Sequence, residues 1–232
     1  MAIPRTYHAI PVGGDTAYRG GYFLHRRAIG MRALIRRFDG LIRRASGVFE
    51  FCDRAECLLR LQVARVPHDL HLPGGTLVRA GDPVLMLHLW NEHVPPMGPA
   101  GPDLAWAARV YRMWLHSLRA VAHWLADEPG LADVRAVGGM TVLITPGDRG
   151  SGLRLMRHLG FDVIPYRSPL GRFGEFWENF YAWWLMWAFN AASLRRRRLL
   201  HLRRAEVWIS VSELVGRYGS NINAERDYWD GG

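Results

Sequence analysis

The residues best suited to chemistry gather in one short stretch: His88, Asn91, Glu92 and His93. His68, Asp69 and His71 lie a little upstream. Imidazoles and carboxylates together can pass protons or bind zinc. The spacing His88-x-x-x-Glu92-His93 fits no helical zinc-protease pattern. His88, Glu92 and His93 are therefore candidate catalytic residues, with a polar structural cluster as the alternative; no metal or cofactor is assigned. Val84–Trp90 is the strongest strand signal in the chain. Because side chains alternate along a strand, His88 lies across the sheet from Leu87 and Leu89. Glu92 and His93 fall just beyond it, where a loop presents side chains to a ligand. His68 and His71 join them only if neighbouring strands pair to bring them there.

All thirty basic residues are arginine, and the formal charge is +9. The absence of lysine excludes Schiff-base chemistry, a P-loop lysine and a lysine general base. Arginine forks bind phosphate and carboxylate bidentately, so anionic partners fit. Arg109, Arg112, His116, Arg119 and His123 recur at three- and four-residue spacing, which makes one basic ridge on a helix. Arg109, Arg112 and Arg119 are candidate anion contacts; a merely solvated face is the alternative. Arg149, in the turn Asp148-Arg149-Gly150-Ser151-Gly152 before a short helix, is another. The turn matches neither a P-loop nor a dinucleotide fingerprint, and an ordinary capped turn explains it better. Cys52 and Cys57 are too few for a disulfide framework and are expected to be reduced and buried, with a local disulfide or a shared metal as alternatives.

The elements that must carry these residues can be read in order. Residues 1–20 form an irregular lead-in rich in Pro and Gly. Met31–Ala45 is an amphipathic helix, expected to bury Leu34, Ile35, Phe38, Leu41 and Ile42 and to solvate its arginines. Cys57–Val66 and Val84–Trp90 are strands, separated by turns at Gly74-Gly75 and Gly81-Asp82-Pro83. Asp103 caps a long helix to about Ala126, with an apolar stripe from Leu104 to Leu125. Val134–Ile144 is a strand, in which Gly138-Gly139 marks a bulge or a close backbone approach. A short helix closed by Gly160 and a strand at Phe161–Tyr166 follow. Ser210 and Glu213 have capping-box spacing for a final helix ended by Gly219. Residues 220–232 read as a loose polar tail.

Phe173 to about Leu200 is the unusual segment. Phe180–Phe189 is apolar all round and includes Trp183, Trp184 and Trp187; Arg195, Arg196, Arg197 and Arg198 follow. The apolar run Phe180–Leu194 reaches roughly 22 Å at ~1.5 Å per residue, short of the ~30 Å of hydrocarbon that a spanning helix must cross. It is either an interfacial helix, sinking tryptophans to headgroup depth with arginines on anionic lipid, or a helix buried in a core, dimer or partner protein. Nucleic-acid binding ranks below both, because the aromatics form a block and are not interleaved with the charges.

The string Gly81-Asp82-Pro83-Val84-Leu85-Met86-Leu87-His88-Leu89-Trp90-Asn91, the long helix after it and Leu159-Gly160-Phe161 resemble the YkoP-like domain family, over roughly residues 30–220. That family occurs alone or attached to polysaccharide deacetylases, which implies a cell-envelope setting and supplies no catalytic residues. The order of strand, long helix, strand, short helix and strand is also similar to the second half of GNAT acyltransferases. Their pyrophosphate loop should occupy Val94–Pro102. Here it lacks arginine and its prolines remove N–H donors, which argues against acyl-CoA. The expectation is one α+β domain, residues 1–219, with a mixed central sheet and flanking helices. It would be cytoplasmic, peripheral at the inner face of the membrane, and act on envelope lipid or polysaccharide precursors, with group transfer as the expected reaction. The alternative is a non-catalytic scaffold that binds a partner protein, or its own copy, through the 173–200 helix. The first thirty residues hold no apolar run of the secretory type.

Overall fold

The computed structural model of the chain describes residues 16–98, 100–144, 151–166, 168, 170–194 and 203–219, with the side chains at 16–29, 32, 142–144, 151, 190 and 203 outside that description. The chain runs α1 (Thr16–Ala45), β1 (Leu59–Arg65), β2 (Leu70–His71), β3 (Leu77–Val78), β4 (Pro83–Leu89), α2 (Leu104–Asp127), β5 (Ala136–Ile144), α3 (Ser151–His158), β6 (Asp162–Pro165), α4 (Gly171–Asn190), β7 (Arg203–Ser210) and α5 (Val211–Tyr218). Local chemistry sets several boundaries. Asp103 accepts the Trp106 N–H at 2.7 Å and starts α2. Ser210 accepts the Glu213 N–H at 3.2 Å and starts α5. Glu213 does not reach back as a full capping box would; its carboxylate pairs with Arg217 one turn on, at 3.0 Å.

Five strands form one mixed sheet in the order β1-β4-β5-β7-β6. Only β4 and β5 run parallel; the other three pairs are antiparallel. Parallel neighbours need a long crossover, and α2 supplies it. The architecture is therefore α+β with helices on a mixed sheet. A small hairpin, β2 with β3, caps one end.

The two faces of the sheet differ in chemistry. Leu59, Leu61, Leu85, Leu87, Val137, Val207 and Ile209 point to one side and pack with Leu118 and Val121 of α2, Met156 of α3 and Leu214 of α5. Fully burying each such side chain contributes ~1.5–3 kcal/mol, so this is the main core. On the opposite face Val84, Ala136 and Trp208 pack with Leu70, Leu72 and Val78 near the hairpin. Further along, that face turns polar, with Arg60, Gln62 and His88, and there α1 and α4 lie over it. Gly138 sits beneath the Trp208 indole and Gly139 against the Leu87 carbonyl. The expected close approach at these glycines is thus found, while the irregularity in β5 lies later, between Thr141 and Ile144.

Three features depart from the sequence reading. Helix α1 begins at Thr16, inside the stretch expected to be irregular, and it buries Ile35 and Asp39 while exposing Met31, Leu34, Phe38, Leu41 and Ile42. The apolar stripe of this helix faces outward, because a polar sheet face meets its other side. Helix α4 ends at Asn190 and passes into a short 3-10 turn, Ala191–Leu194, so the expected run to Leu200 is broken. Strand β7 was not foreseen; it inserts between β5 and β6 and completes the sheet.

Candidate functional site

β4 and β5 pair only at Leu85↔Val137 and Met86↔Gly138. Beyond that point the carboxyl ends of two parallel strands are free of ladder bonds to each other. Ligands of α/β sheets favour such strand ends, where loops and helix starts converge. His88 stands there, and the turn carrying Glu92 and His93 follows directly.

His88 is mostly buried, and burial lowers its imidazole pKa, against a weaker upward pull from Asp39. Its Nε2 is 2.8 Å from Gln62 Oε1. Gln62 donates its amide to the Ser46 carbonyl at 2.7 Å, which fixes which end of the amide faces the ring. Nε2 must therefore carry the proton and donate, leaving Nδ1 as the basic nitrogen. His93 uses the other tautomer. Its Nδ1 donates to the Cys57 carbonyl at 2.7 Å, and its ring stacks on Trp90 with centroids 3.7 Å apart. Glu92 is clamped as an anion: Arg43 reaches it at 3.3 Å and Arg60 at 3.1 Å.

Arg60 joins the three predicted residues. It is directly opposite His88 across the β1/β4 pair, bonds Glu92 and Glu50, and lies 4.3 Å over the Trp90 ring on which His93 stacks. At 4% exposure its charge is nearly dry, and buried charge persists only when paired. From Glu92 the ionic chain continues through Arg43 to Asp39 at 3.1 Å, and Asp39 accepts the Tyr181 hydroxyl of α4 at 2.8 Å. Burial and the bond to Asp39 push the Tyr181 phenol up, so it stays a donor. The free Nδ1 of His88, the His93 ring held through its own Nδ1, and the fixed cations could together take up a proton and hold an anion beside it.

Sequence reasoning missed Asp39, Arg43, Glu50, Arg60, Gln62 and Tyr181. The period-two register of Arg60 and Gln62 on β1 was the one available signal. The upstream residues do not join the site. His68 faces Glu206 at 3.5 Å, and Asp69 accepts the Ala80 N–H, both at the hairpin end of the sheet. Among the described residues no group of three or more His, Cys, Asp or Glu is arranged to hold a metal.

The basic ridge of α2 lies across the sheet from His88. Arg109 and Arg112 are exposed, and Arg119 is half-buried. His116 leaves the ridge pattern, since its Nε2 is buried. Arg149 and Arg195, Arg196, Arg197 and Arg198 lie outside the described residues. Trp183, Trp184 and Trp187 are half-buried on α4. The aromatics that α4 presents most fully are Phe173, at 67% exposure, and Trp177, at 52%. They continue a ladder of ring contacts through Phe176 and Phe180 to Trp184, which meets Phe38 of α1 at 6.4 Å. Among the described residues no helix is long and apolar enough to cross a membrane.

Searches of curated proteins and of solved structures give no match. The sequence model of the YkoP domain matches residues 30–218, which takes in the sheet, the polar layer under α1 and α4, and the second half of α1. The chain belongs to the YkoP domain family.

Proposed function

We propose that this protein works at an anionic membrane surface on a lipid or polysaccharide precursor of the cell envelope. Helices α1 and α4 are its docking surface, and the His88–Glu92–His93 region is its reacting site. The observation that carries the reading is the joint exposure of Met31, Leu34, Phe38 and Leu41 on α1 with Phe173, Phe176 and Trp177 on α4. These residues are bordered by the exposed arginines Arg36, Arg37 and Arg172. Apolar side chains inserted at headgroup depth, rimmed by cations, suit an anionic bilayer; each basic residue near the surface adds ~1 kcal/mol. The same two helices close over the polar face of the sheet, and Arg43 of α1 ties them to Glu92. Transfer chemistry is the favoured reaction class. It is supported by the GNAT-like chain order of elements from β4 to β6 and by a basic imidazole nitrogen at the end of β4. The four prolines of residues 94–102 argue that any acyl donor is held without a backbone pyrophosphate cradle.

Flotation of the purified chain with vesicles tests the docking claim. It should rise with vesicles containing phosphatidylglycerol and stay behind with phosphatidylcholine alone. If it ignores both and instead forms a stable dimer or captures a partner, the same patch is a protein interface and the scaffold reading replaces this one.

A further inference from the structure

Helices α1 and α4 hold to each other differently from the way they hold to the sheet. Between them, the Phe38 ring meets Trp184 at 6.4 Å, the Arg36 guanidinium lies 5.1 Å over the Phe189 ring, and Tyr181 donates to Asp39 at 2.8 Å. Toward the rest of the molecule the bonds are polar. Arg43 of α1 pairs with Glu92 at 3.3 Å. Arg204 of β7 donates to Asn179 at 3.2 Å and stands 3.5 Å from Glu178. Glu178 also accepts the hydroxyls of Tyr166, at 3.1 Å, and Ser168, at 2.9 Å, both in the connection from β6. Ile35 and Ala188 are buried, yet among the described residues neither apolar cluster of the sheet takes in a residue of α1 or α4.

The two kinds of contact part at different cost. Separating apolar surfaces exposes hydrocarbon to water. Separating polar ones lets water replace each bond, so the net cost is modest. A pair of helices joined by aromatic contacts and tied to its support by polar ones can therefore open as a unit before the support unfolds. Two glycines give it joints. Gly47, two residues past α1, has φ +72°, and Gly171, the first residue of α4, has φ +59°. A Cβ at either place would have no neighbour within 4 Å, so the backbone can turn there without a clash.

The end of α1 is bonded onto the layer that holds His88 and Arg60. The His88 Nε2 is tied to Gln62, whose amide reaches the carbonyl of Ser46, the residue after α1. Arg60 faces His88 across the β1/β4 pair and bonds Glu92, the partner of Arg43.

We propose that α1 and α4 form one lid, latched by Arg43–Glu92 and Arg204–Glu178, whose swing away from the sheet admits a ligand to His88 and Arg60. The proposal rests on the reading of His88 as part of the reacting site, and it adds the movement by which that site is reached.

The test uses the intact protein without vesicles, so its outcome is separate from that of flotation. Hydrogen exchange resolved by peptide mass should give residues 31–45 and 175–190 one common protection, at least about a hundredfold below that of β4, β5 and α2. Glu178→Gln keeps an acceptor for Tyr166 and Ser168 but removes the charge facing Arg204. It should raise the opening of both helices about tenfold and leave the sheet unchanged. Carbethoxylation of His88 by diethyl pyrocarbonate, mapped on the same peptides, should rise by the same factor, because the reagent reaches the ring from the open state. Helices that exchange only together with the sheet in the wild type would overturn the lid, and that arm needs no variant to fold. Opening of one helix without the other would overturn the single unit. Unchanged exchange in Glu178→Gln would remove Arg204–Glu178 as a latch. Faster opening without faster labelling of His88 would break the link to the site. A chain whose lid opens but which never floats keeps this inference and loses the membrane reading; a floating chain whose helices stay shut does the reverse.

Discussion

Replacing Arg60 by alanine should cost about 2–4 kcal/mol of folding free energy. The figure follows from what Arg60 touches. Its guanidinium makes charge-assisted bonds to Glu50 at 2.8 Å and Glu92 at 3.1 Å and covers the Trp90 ring. Breaking a fully buried ion pair costs ~3–5 kcal/mol, mainly by stranding the partner charge. Here the partners are not fully stranded. Glu50 is half-exposed and can rehydrate, and Glu92 keeps Arg43. The loss is then that of hydrogen bonds to charge, about 1.5–3 kcal/mol, with about 0.5–1 kcal/mol for the cation on the ring. Arg60→Met keeps the stem over Trp90 and should recover about half of the loss. Urea unfolding followed by tryptophan fluorescence measures all three proteins on one scale. A loss below about 1 kcal/mol for Arg60→Ala would show that the guanidinium is no anchor, and the placement of Glu92 would need another cause.

Two further substitutions probe the same layer. Tyr181→Phe removes the donor to Asp39, a carboxylate only 5% exposed; it should cost about 1.5–3 kcal/mol in the same assay and loosen α4 from α1. His88 has a lowered native pKa, so the unfolded state binds its proton first, and stability should fall as pH drops through about 6.5 toward the native value and be unaffected above it. His88→Gln should flatten that part of the profile in melts between about pH 8 and about pH 5.5; an unchanged slope would show that another group titrates there.

Where local chemistry decides an element, the sequence was a good guide. Asp103, Ser210 and the turn glycines marked the helix and strand ends now seen. The alternation around His88 placed it opposite Leu87, and register made that placement structural. Strand β7 escaped notice although Ala205, Val207 and Ile209 alternate inward, because its start continues an arginine-rich run that resembles a helix end. Helix α1 misled in a different way. Its apolar stripe suggested a core face, yet of that stripe only Ile35 is buried, and Asp39 is buried beside it, where Tyr181 and Arg43 meet it. That partner lies 142 residues away in sequence, and no periodicity encodes such a pairing. The Arg60 cluster was hidden for the same reason: a lone arginine in an alternating strand reads as solvated until the register sets Glu92 and Trp90 beside it.

The exposed stripe of α1 and the aromatic ladder of α4 are the basis of the functional reading, and one flotation experiment addresses both. Burying about half of the exposed surface of Phe173 and Trp177 at ~25 cal/mol per Å² gives about 1–2 kcal/mol for each ring. Phe173→Ser with Trp177→Ser should therefore weaken binding to phosphatidylglycerol vesicles by roughly thirtyfold or more and leave the melting temperature unchanged. The wild type should float at low salt and partly release as salt is raised. Equal flotation of the double variant and wild type, or no flotation of either, would contradict the membrane-docking account.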